Sequence, residues 1–384
     1  MERMTGWQAI VRGLEAEDVG PVFGLPGSPG QFYDQLYDST KLRSVLVRHE
    51  TSGVFMAMAW ARVMNRPAVV FGSPGPGVAN LVPGVLEAYS GCTPMIVLGV
   101  RASTQLEGMG AFQETDQLGM MKPITKWAAT IERTDRAQWY LRRAIALATS
   151  GQPGPVYLEF PADLGTAEAE FAPYKPAPRG VRPAADPDAI ARAADLLMTA
   201  QRPLIVCGGG AVLSEAGQAL TALIDRHGIP FQTTPAGRGV IGESHPLACG
   251  MVGLYRTTFP RELYDEADLL ITVGSRMEEF QSGAFVLSGG REVHSDRHRA
   301  VRADGTGSRM SPSMPTPGWR LKPWTLHWSS GTMSPMPPGS SASRSDGRRR
   351  SRTPSPTHAS KRCRCEAEVS SGRSTKLLDR TPSL

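Results

Sequence analysis

Several short, unbroken apolar runs separated by helix-forming segments constrain this chain most. Ala68-Val-Val-Phe71, Pro94-Met-Ile-Val-Leu-Gly-Val100 and Pro155-Val-Tyr-Leu-Glu-Phe160 show no alternation of polar and apolar residues. A strand of that kind is buried on both faces, which happens when helices cover both sides of a parallel sheet. The intervening segments suit that arrangement. Thr5 to Glu15, Phe32 to Tyr37, Val54 to Met64, Asn80 to Ser90 and Asp135 to Ala148 read as helices, and Pro21-Val-Phe23 and Ser44 to Val47 as further strands. The expected fold class is α/β, with doubly wound parallel sheets.

A second unit of the same type follows a Pro- and Ala-rich linker at 166–185. Pro187 to Ala200 and Ser214 to His227 read as helices, and Pro203 to Cys207, Pro230 to Thr234 and Leu269 to Val273 as strands. The expected organisation is a first domain at 1–165, the linker, a central domain at 186–290, and an irregular tail at 291–384. In the tail Ser, Pro, Arg, Gly and Thr dominate, and neither a period of 2 nor one of 3.6 survives, so disorder is expected there. The formal net charge of +6 reflects this tail, where Arg clusters in Arg348-Arg-Arg-Ser-Arg352 and Lys361-Arg-Cys-Arg364. It is no argument for a nucleic-acid partner. There is neither an apolar run of membrane-spanning length nor a signal-peptide core at the N-terminus, so a cytoplasmic protein without a membrane partner is expected. The five cysteines, Cys92, Cys207, Cys249, Cys363 and Cys365, form no metal-type spacing with His.

The chemistry concentrates in four segments. Glu50 stands at a strand-to-helix junction in Val47-Arg-His-Glu50, a place where α/β proteins present side chains to ligands. By itself it reads equally well as a first-turn residue favoured by the helix dipole. Two turn-rich loops, Phe23-Gly-Leu-Pro-Gly-Ser-Pro-Gly30 and Ser73-Pro-Gly-Pro-Gly-Val-Ala-Asn-Leu81, let backbone approach a flat ligand closely. Neither is a P-loop or a dinucleotide fingerprint. Ala111-Phe-Gln-Glu-Thr-Asp116, followed by Pro123-Ile-Thr-Lys126, is the longest and most specific string. His49 can be read as a proton acceptor or as a helix-entry residue with a structural hydrogen bond.

Together these segments resemble the thiamine diphosphate enzymes of the acetolactate synthase and 2-oxoacid decarboxylase superfamily. The resemblance spans roughly residues 4 to 290, and Ser150 to Asp163, Arg202 to Gly210 and His245 to Met251 share it. It implies that Glu50 hydrogen-bonds the cofactor's pyrimidine ring and drives its activation. It further implies that Pro26, Gly27, Gly75, Pro76, Gly77 and Asn80 frame that ring, and that Gln113 serves the neighbouring subunit's active centre. Phe112 and Lys126 would serve the substrate. The implied reaction joins a pyruvate-derived unit to a second 2-oxoacid with release of CO₂, in a homodimer or homotetramer. Acetolactate synthases hold FAD in the central domain; here Gly253-Leu-Tyr-Arg256 stands where they tend to have Gly-Met-His-Gly, which counts against FAD.

The family's third domain carries a Gly-Asp-Gly motif and an Asn that bind Mg²⁺ and the diphosphate. Its nearest string here is Ser345-Asp-Gly347, in the tail. Without that domain, weak cofactor binding and no turnover by the chain alone are expected, and the alternative is a non-catalytic binding or dimerisation module derived from such an enzyme. Arg291 to Arg302, read one nucleotide later, permits Ala-Arg-Phe-Ile-Gln-Ile-Asp-Ile-Glu-Pro-Ser-Glu, which resembles the end of the family's central domain. This reading expects a frame shift near residue 290, which the nucleotide sequence across that point decides.

Overall fold

The computed structural model describes residues 1–27, 31–178 and 184–281, with the backbone of 282, 286–287, 291–292 and 299–303. The expectations for Ser28, Pro29 and Gly30, for the Ser345-Asp-Gly347 string and for most of the tail fall outside the described residues. Contacts divide the chain into a unit at Met1–Met333 and a second at Ser334–Leu384; every described residue belongs to the first.

The first domain is built around a six-stranded sheet. In chain order its first elements are strand β1 (Glu2–Thr5), helix α1 (Gly6–Ala16), β2 (Val22–Gly24), α2 (Gln31–Tyr37), β3 (Ser44–Leu46), α3 (Glu50–Met64), β4 (Ala68–Gly72) and α4 (Pro76–Ser90). Then come β5 (Met95–Arg101), α5 (Gln117–Met121), β6 (Trp127–Thr130), α6 (Ala137–Thr149), β7 (Pro155–Pro161), α7 (Ala162–Thr166) and β8 (Glu168–Phe171). The sheet order is β3-β2-β4-β5-β7-β6, and every neighbouring pair is parallel.

Side chains alternate across a strand, so a sheet with two apolar faces needs two cores. Both are present. Val69, Phe71, Ile96, Leu98, Val156 and Phe160 pack with α1 and α6 residues on one face. Val70, Val97 and Tyr157 pack with Val54, Ala57, Leu81 and Val85 of α3 and α4 on the other. Trp7 anchors the first core, its ring centroid 5.2 Å from that of Phe32 and 5.0 Å from that of Phe160. α3 and α4 meet closely, because a Cβ built on Gly84 would lie 2.6 Å from Val54 Cβ.

The stretch with linker composition is partly structured. β8 pairs antiparallel with β1, Phe171 and Ala177 join the first core, and buried Glu17 accepts hydrogen bonds from Tyr174 Oη at 2.7 Å and Ala177 N at 2.6 Å. The packed part of the first domain therefore reaches past residue 165. Pro and Ala are compatible with an edge segment lying on a surface, and composition alone does not separate that from a free tether.

The central domain continues with α8 (Pro187–Thr199), β9 (Pro203–Cys207), α9 (Gly209–Leu213), α10 (Gly217–His227), β10 (Phe231–Thr233), β11 (Ala248–Met251), α11 (Thr258–Glu266) and β12 (Leu269–Val273). A further strand, β13 (Arg299–Ala303), completes a five-stranded parallel sheet in the order β11-β10-β9-β12-β13. The composition reading places no strand at 299–303; there the backbone pairs with β12 from Leu269↔Arg299 to Val273↔Ala303. An exposed strand edge recruits backbone whatever side chains it carries. No helix among the described residues is long and apolar enough to cross a membrane.

Candidate active site

The order β3-β2-β4 fixes where a ligand can bind. The chain steps from β2 outward to β3, then returns to β4 on the other side of β2. Between β2 and β4 lies a topological switch point, and in open α/β sheets ligands take the crevice outside the carboxyl ends of the strands at such points. Gly24 pairs with Phe71 at those ends, so the loop after β2 and the loop after β4 leave the sheet side by side. A Cβ on Gly27 would run into Ser73 Oγ, so the two loops lie in close contact here. Pro26 and Gly27 are exposed there, and Pro76 is exposed at the start of α4.

Glu50 arrives from β3. Val47 N donates to Gly24 O at 3.1 Å, holding the chain beside β2 until His49 starts α3. His49 is the N-cap residue and its Nδ1 accepts from Thr51 N at 3.3 Å, so the imidazole does the structural job of the two considered for it. Glu50, the first residue of α3, is 6% exposed. A buried carboxylate needs a partner, and Asn80 Nδ2 donates to its Oε2 at 3.0 Å. Thr51 Oγ1 in turn donates to the Asn80 carbonyl, so the first turns of α3 and α4 are joined twice. Glu50 Oε1 carries no hydrogen bond among the described residues and lies 3.4 Å from where a Cβ on Gly77 would stand. The glycine keeps that oxygen accessible from the second loop.

Beside this carboxylate stands a residue that sequence reasoning missed. Tyr33 Oη is buried with no hydrogen-bond partner among the described residues, against Gly24. Burial, and secondarily the Glu50 charge, push its ionisation well above the usual tyrosine range, so the hydroxyl stays a donor at all ordinary pH. Its only sequence signal is an aromatic at the third position of a helix that follows the first Gly-Pro loop. An orphaned donor and a half-satisfied carboxylate at a switch point form a cradle that lacks its polar partner. A planar aminopyrimidine, with donors and acceptors at its rim, fits that chemistry.

The loop after β5 closes one side. Gln113 adopts φ 58°, an uncommon left-handed conformation for a non-glycine residue. Its backbone lies against the second loop, 2.5 Å from a Cβ built on Gly75 to Gln113 O, and Gly75 itself sits at φ 62°. Glu114 organises this loop by accepting from Gly108 N at 2.6 Å, Ala111 N at 3.0 Å and Gly110 N at 3.1 Å. Those amides, Gly108 first, hold its carboxyl below the usual carboxylate range. Phe112 is 78% exposed at the tip. A cleft of about 360 Å³ runs along the loop between Arg101 and Gln117.

The structure thus brings together Glu50, Gly75, Gly77 and Asn80, with Pro26, Gly27 and Pro76 on the adjoining loops and Gln113 against Gly75. It does not bring Lys126 there, which corrects its assignment to the substrate. Lys126 Nζ donates to Ser150 O at 2.7 Å and to Leu147 O, capping the carboxyl end of α6. A cation at a helix C-terminus is favoured by the dipole and the free carbonyls, and the partial burial of this ammonium lowers its pKa. For Mg²⁺, no group of three or more His, Cys, Asp or Glu side chains is placed to hold a metal ion among the described residues.

Comparison with known proteins shows the family of the chain. Residues 4–120 match the family described as "Thiamine pyrophosphate enzyme, N-terminal TPP binding domain", and residues 190–310 match "Thiamine pyrophosphate enzyme, central domain". A probable acetolactate synthase large subunit from Methanocaldococcus jannaschii is 38% identical over 288 residues, covering 73% of this chain and 48% of that protein. The acetolactate synthase large subunit of Corynebacterium glutamicum is 38% identical over 286 residues, covering 73% and 46%. The acetolactate synthase isozyme 1 large subunit of Escherichia coli is 34% identical over 281 residues, covering 72% and 50%. The chain spans about half the length of the curated relatives it matches. With both family matches in place and Glu50 at the switch point of the first sheet, the chain belongs to the thiamine pyrophosphate enzymes, of the acetolactate synthase-like kind.

Proposed function

We propose that this chain supplies the ring-activating half of a thiamine diphosphate carboligase of the acetolactate synthase type, acting on 2-oxoacids. One observation carries the reading: the carboxylate of Glu50, buried at the switch point, has Oε2 fixed by Asn80 while Oε1 faces the glycine loop. When bound, thiamine diphosphate supplies an acidic ring carbon that adds to the ketone of a 2-oxoacid and accepts the electron pair left by loss of CO₂. In this reading Glu50 Oε1 holds a proton shared with the pyrimidine ring. Asn80 keeps the carboxylate oriented by donating to its other oxygen. Gly27, Gly75 and Gly77 keep Cβ atoms out of the ring's place, and Pro26 and Pro76 stiffen the loops that carry them. Gln113 and Phe112, exposed on the loop after β5, reach the 2-oxoacid and the neighbouring subunit's active centre.

The assembly proposed is a homodimer or homotetramer. Supporting it, α3 and α4 expose Phe55, Met56, Leu86 and Tyr89, and Phe112 and Met109 are exposed apolar residues on the loop after β5. Cys92, Cys207 and Cys249 are free thiols, the state a reducing cytoplasm maintains. The proposal assigns no flavin to the central domain, where Gly208, Gly210 and Gly274 allow two strand ends to pack backbone on backbone.

The experiment is a carboligation assay of the full chain on pyruvate, with thiamine diphosphate and Mg²⁺ added. Acetolactate that requires the cofactor and is lost in Glu50→Gln supports the carboligase. Cofactor binding without product, with that binding unchanged in Glu50→Gln, selects the alternative, a non-catalytic module. The absence of both binding and product would contradict the proposal.

A further inference from the structure

A buried polar network behind the second glycine loop has no part in the assignment above. Gln117, at the start of α5, is 2% exposed, yet both ends of its amide are fully engaged. Its Oε1 accepts from Gly75 N at 2.7 Å. Its Nε2 lies 3.1 Å from Val100 O, 3.1 Å from Tyr157 Oη and 3.3 Å from Glu159 Oε2. The carbonyl and the carboxylate can only accept, so the amide's NH₂ must face them and its oxygen must face Gly75. The surroundings of Gln117 therefore fix which way it points.

Glu159 is the anchor. Its side chain is 3% exposed, in the middle of β7, and its charge is compensated on all sides. Oε1 accepts from Thr130 Oγ1 at 2.7 Å and from Arg101 Nη1 at 3.1 Å; Oε2 accepts from Tyr157 Oη at 3.2 Å as well as from Gln117. A buried ion pair replaced by apolar residues often costs nothing in stability, so stability alone does not explain it.

The network leads to the active site. Gly75 is the N-cap of α4, at φ 62° and ψ −107°, with no side-chain cap, and Pro76 after it has no N–H. The Gln117 oxygen is the partner of the last free amide before the helix, and Gly75 O accepts from Ala79 N at 2.9 Å in its first turn. The next residue, Asn80, holds Glu50. We propose that Gln117, oriented by Glu159 and Arg101, is a positioning residue that sets the second loop and the Asn80–Glu50 pair in register for thiamine diphosphate. This rests on the function proposed above.

The test uses the full chain, with thiamine diphosphate binding measured by calorimetry and amide exchange followed over residues 73–80. Gln117→Leu strands a buried Gly75 amide, and its expected effect is at least about tenfold weaker binding with faster exchange at residues 73–80. Gln117→Glu sets two carboxylates against each other and weakens binding further. Adding Glu159→Gln to it restores a donor facing an acceptor, and the double variant should bind about threefold or more tighter than Gln117→Glu alone. A purely structural role would instead show loss and rescue in the urea unfolding of the ligand-free chain, with binding and exchange at residues 73–80 unmoved. Binding and exchange unchanged in Gln117→Leu, or no rescue in the double variant, overturn this inference alone. No binding by the unsubstituted chain overturns the function on which it rests.

Discussion

Glu50 and Tyr33 bring two polar groups, a carboxylate and a buried hydroxyl, to the switch point of the first sheet. The tyrosine hydroxyl is buried and has no hydrogen-bond partner among the described residues. An unsatisfied buried hydroxyl costs about 1–3 kcal/mol. Tyr33→Phe removes the atom and keeps the ring that stacks edge-on against Phe71. The expected outcome is a ligand-free chain more stable by about 1 kcal/mol in urea unfolding, with thiamine diphosphate bound less tightly. A loss of stability would mean that the hydroxyl has a partner. Of these two residues, Glu50 was legible in the sequence because a carboxylate at a strand-to-helix junction is conspicuous and its companion loops form a known pattern. Tyr33 was not, since its role depends on which way α2 turns its aromatic.

Among the elements, the strands whose two faces are both buried were readable because burial leaves an unbroken apolar run, as in β4, β5 and β7. β6 was missed. Trp127-Ala-Ala-Thr is half-buried throughout, lies at the sheet edge, and carries no run. α3 starts at Glu50, four residues before its apolar stripe, because His49 supplies a cap that helix propensity does not register. Gln117 and Glu159 left a faint trace, a lone Glu inside an apolar strand, whose partner lies 42 residues away in sequence. The loop carrying Phe112 and Gln113 belongs to this scale too. Glu114 has its pKa depressed by three amides, so its contribution is present above the usual carboxylate value of 4.5 and is lost as pH falls through the lower folded value. Amide exchange at Gly108, Gly110 and Ala111 should accelerate as pH is lowered through that window, beyond the intrinsic pH dependence. In Glu114→Gln that extra acceleration should be absent. Exchange that follows the intrinsic rate at every pH in the unsubstituted chain would contradict the carboxylate's role.

For the whole molecule, two sheets of the same construction are joined through helix ends. Asn65, the left-handed C-cap of α3, donates to Glu215 Oε1 at 2.8 Å, and Arg276 Nη2 donates to Ser90 O at 2.7 Å. The helices that carry Glu50 and Asn80 thus also hold the central domain, while their outer faces expose Phe55 and Leu86. If that apolar surface receives a second copy, Phe55→Glu with Leu86→Glu should shift the chain to monomer in sedimentation, with its thermal unfolding little changed. An unchanged assembly would place the interface elsewhere.

The central claim is that a buried carboxylate at position 50 activates a thiamine ring. The most direct measurement is calorimetric titration of thiamine diphosphate into the full chain, unsubstituted and as Glu50→Gln, in parallel. Saturable binding that weakens at least about tenfold on substitution is expected, from the loss of one charge-assisted hydrogen bond. Equal binding by the two proteins would contradict it.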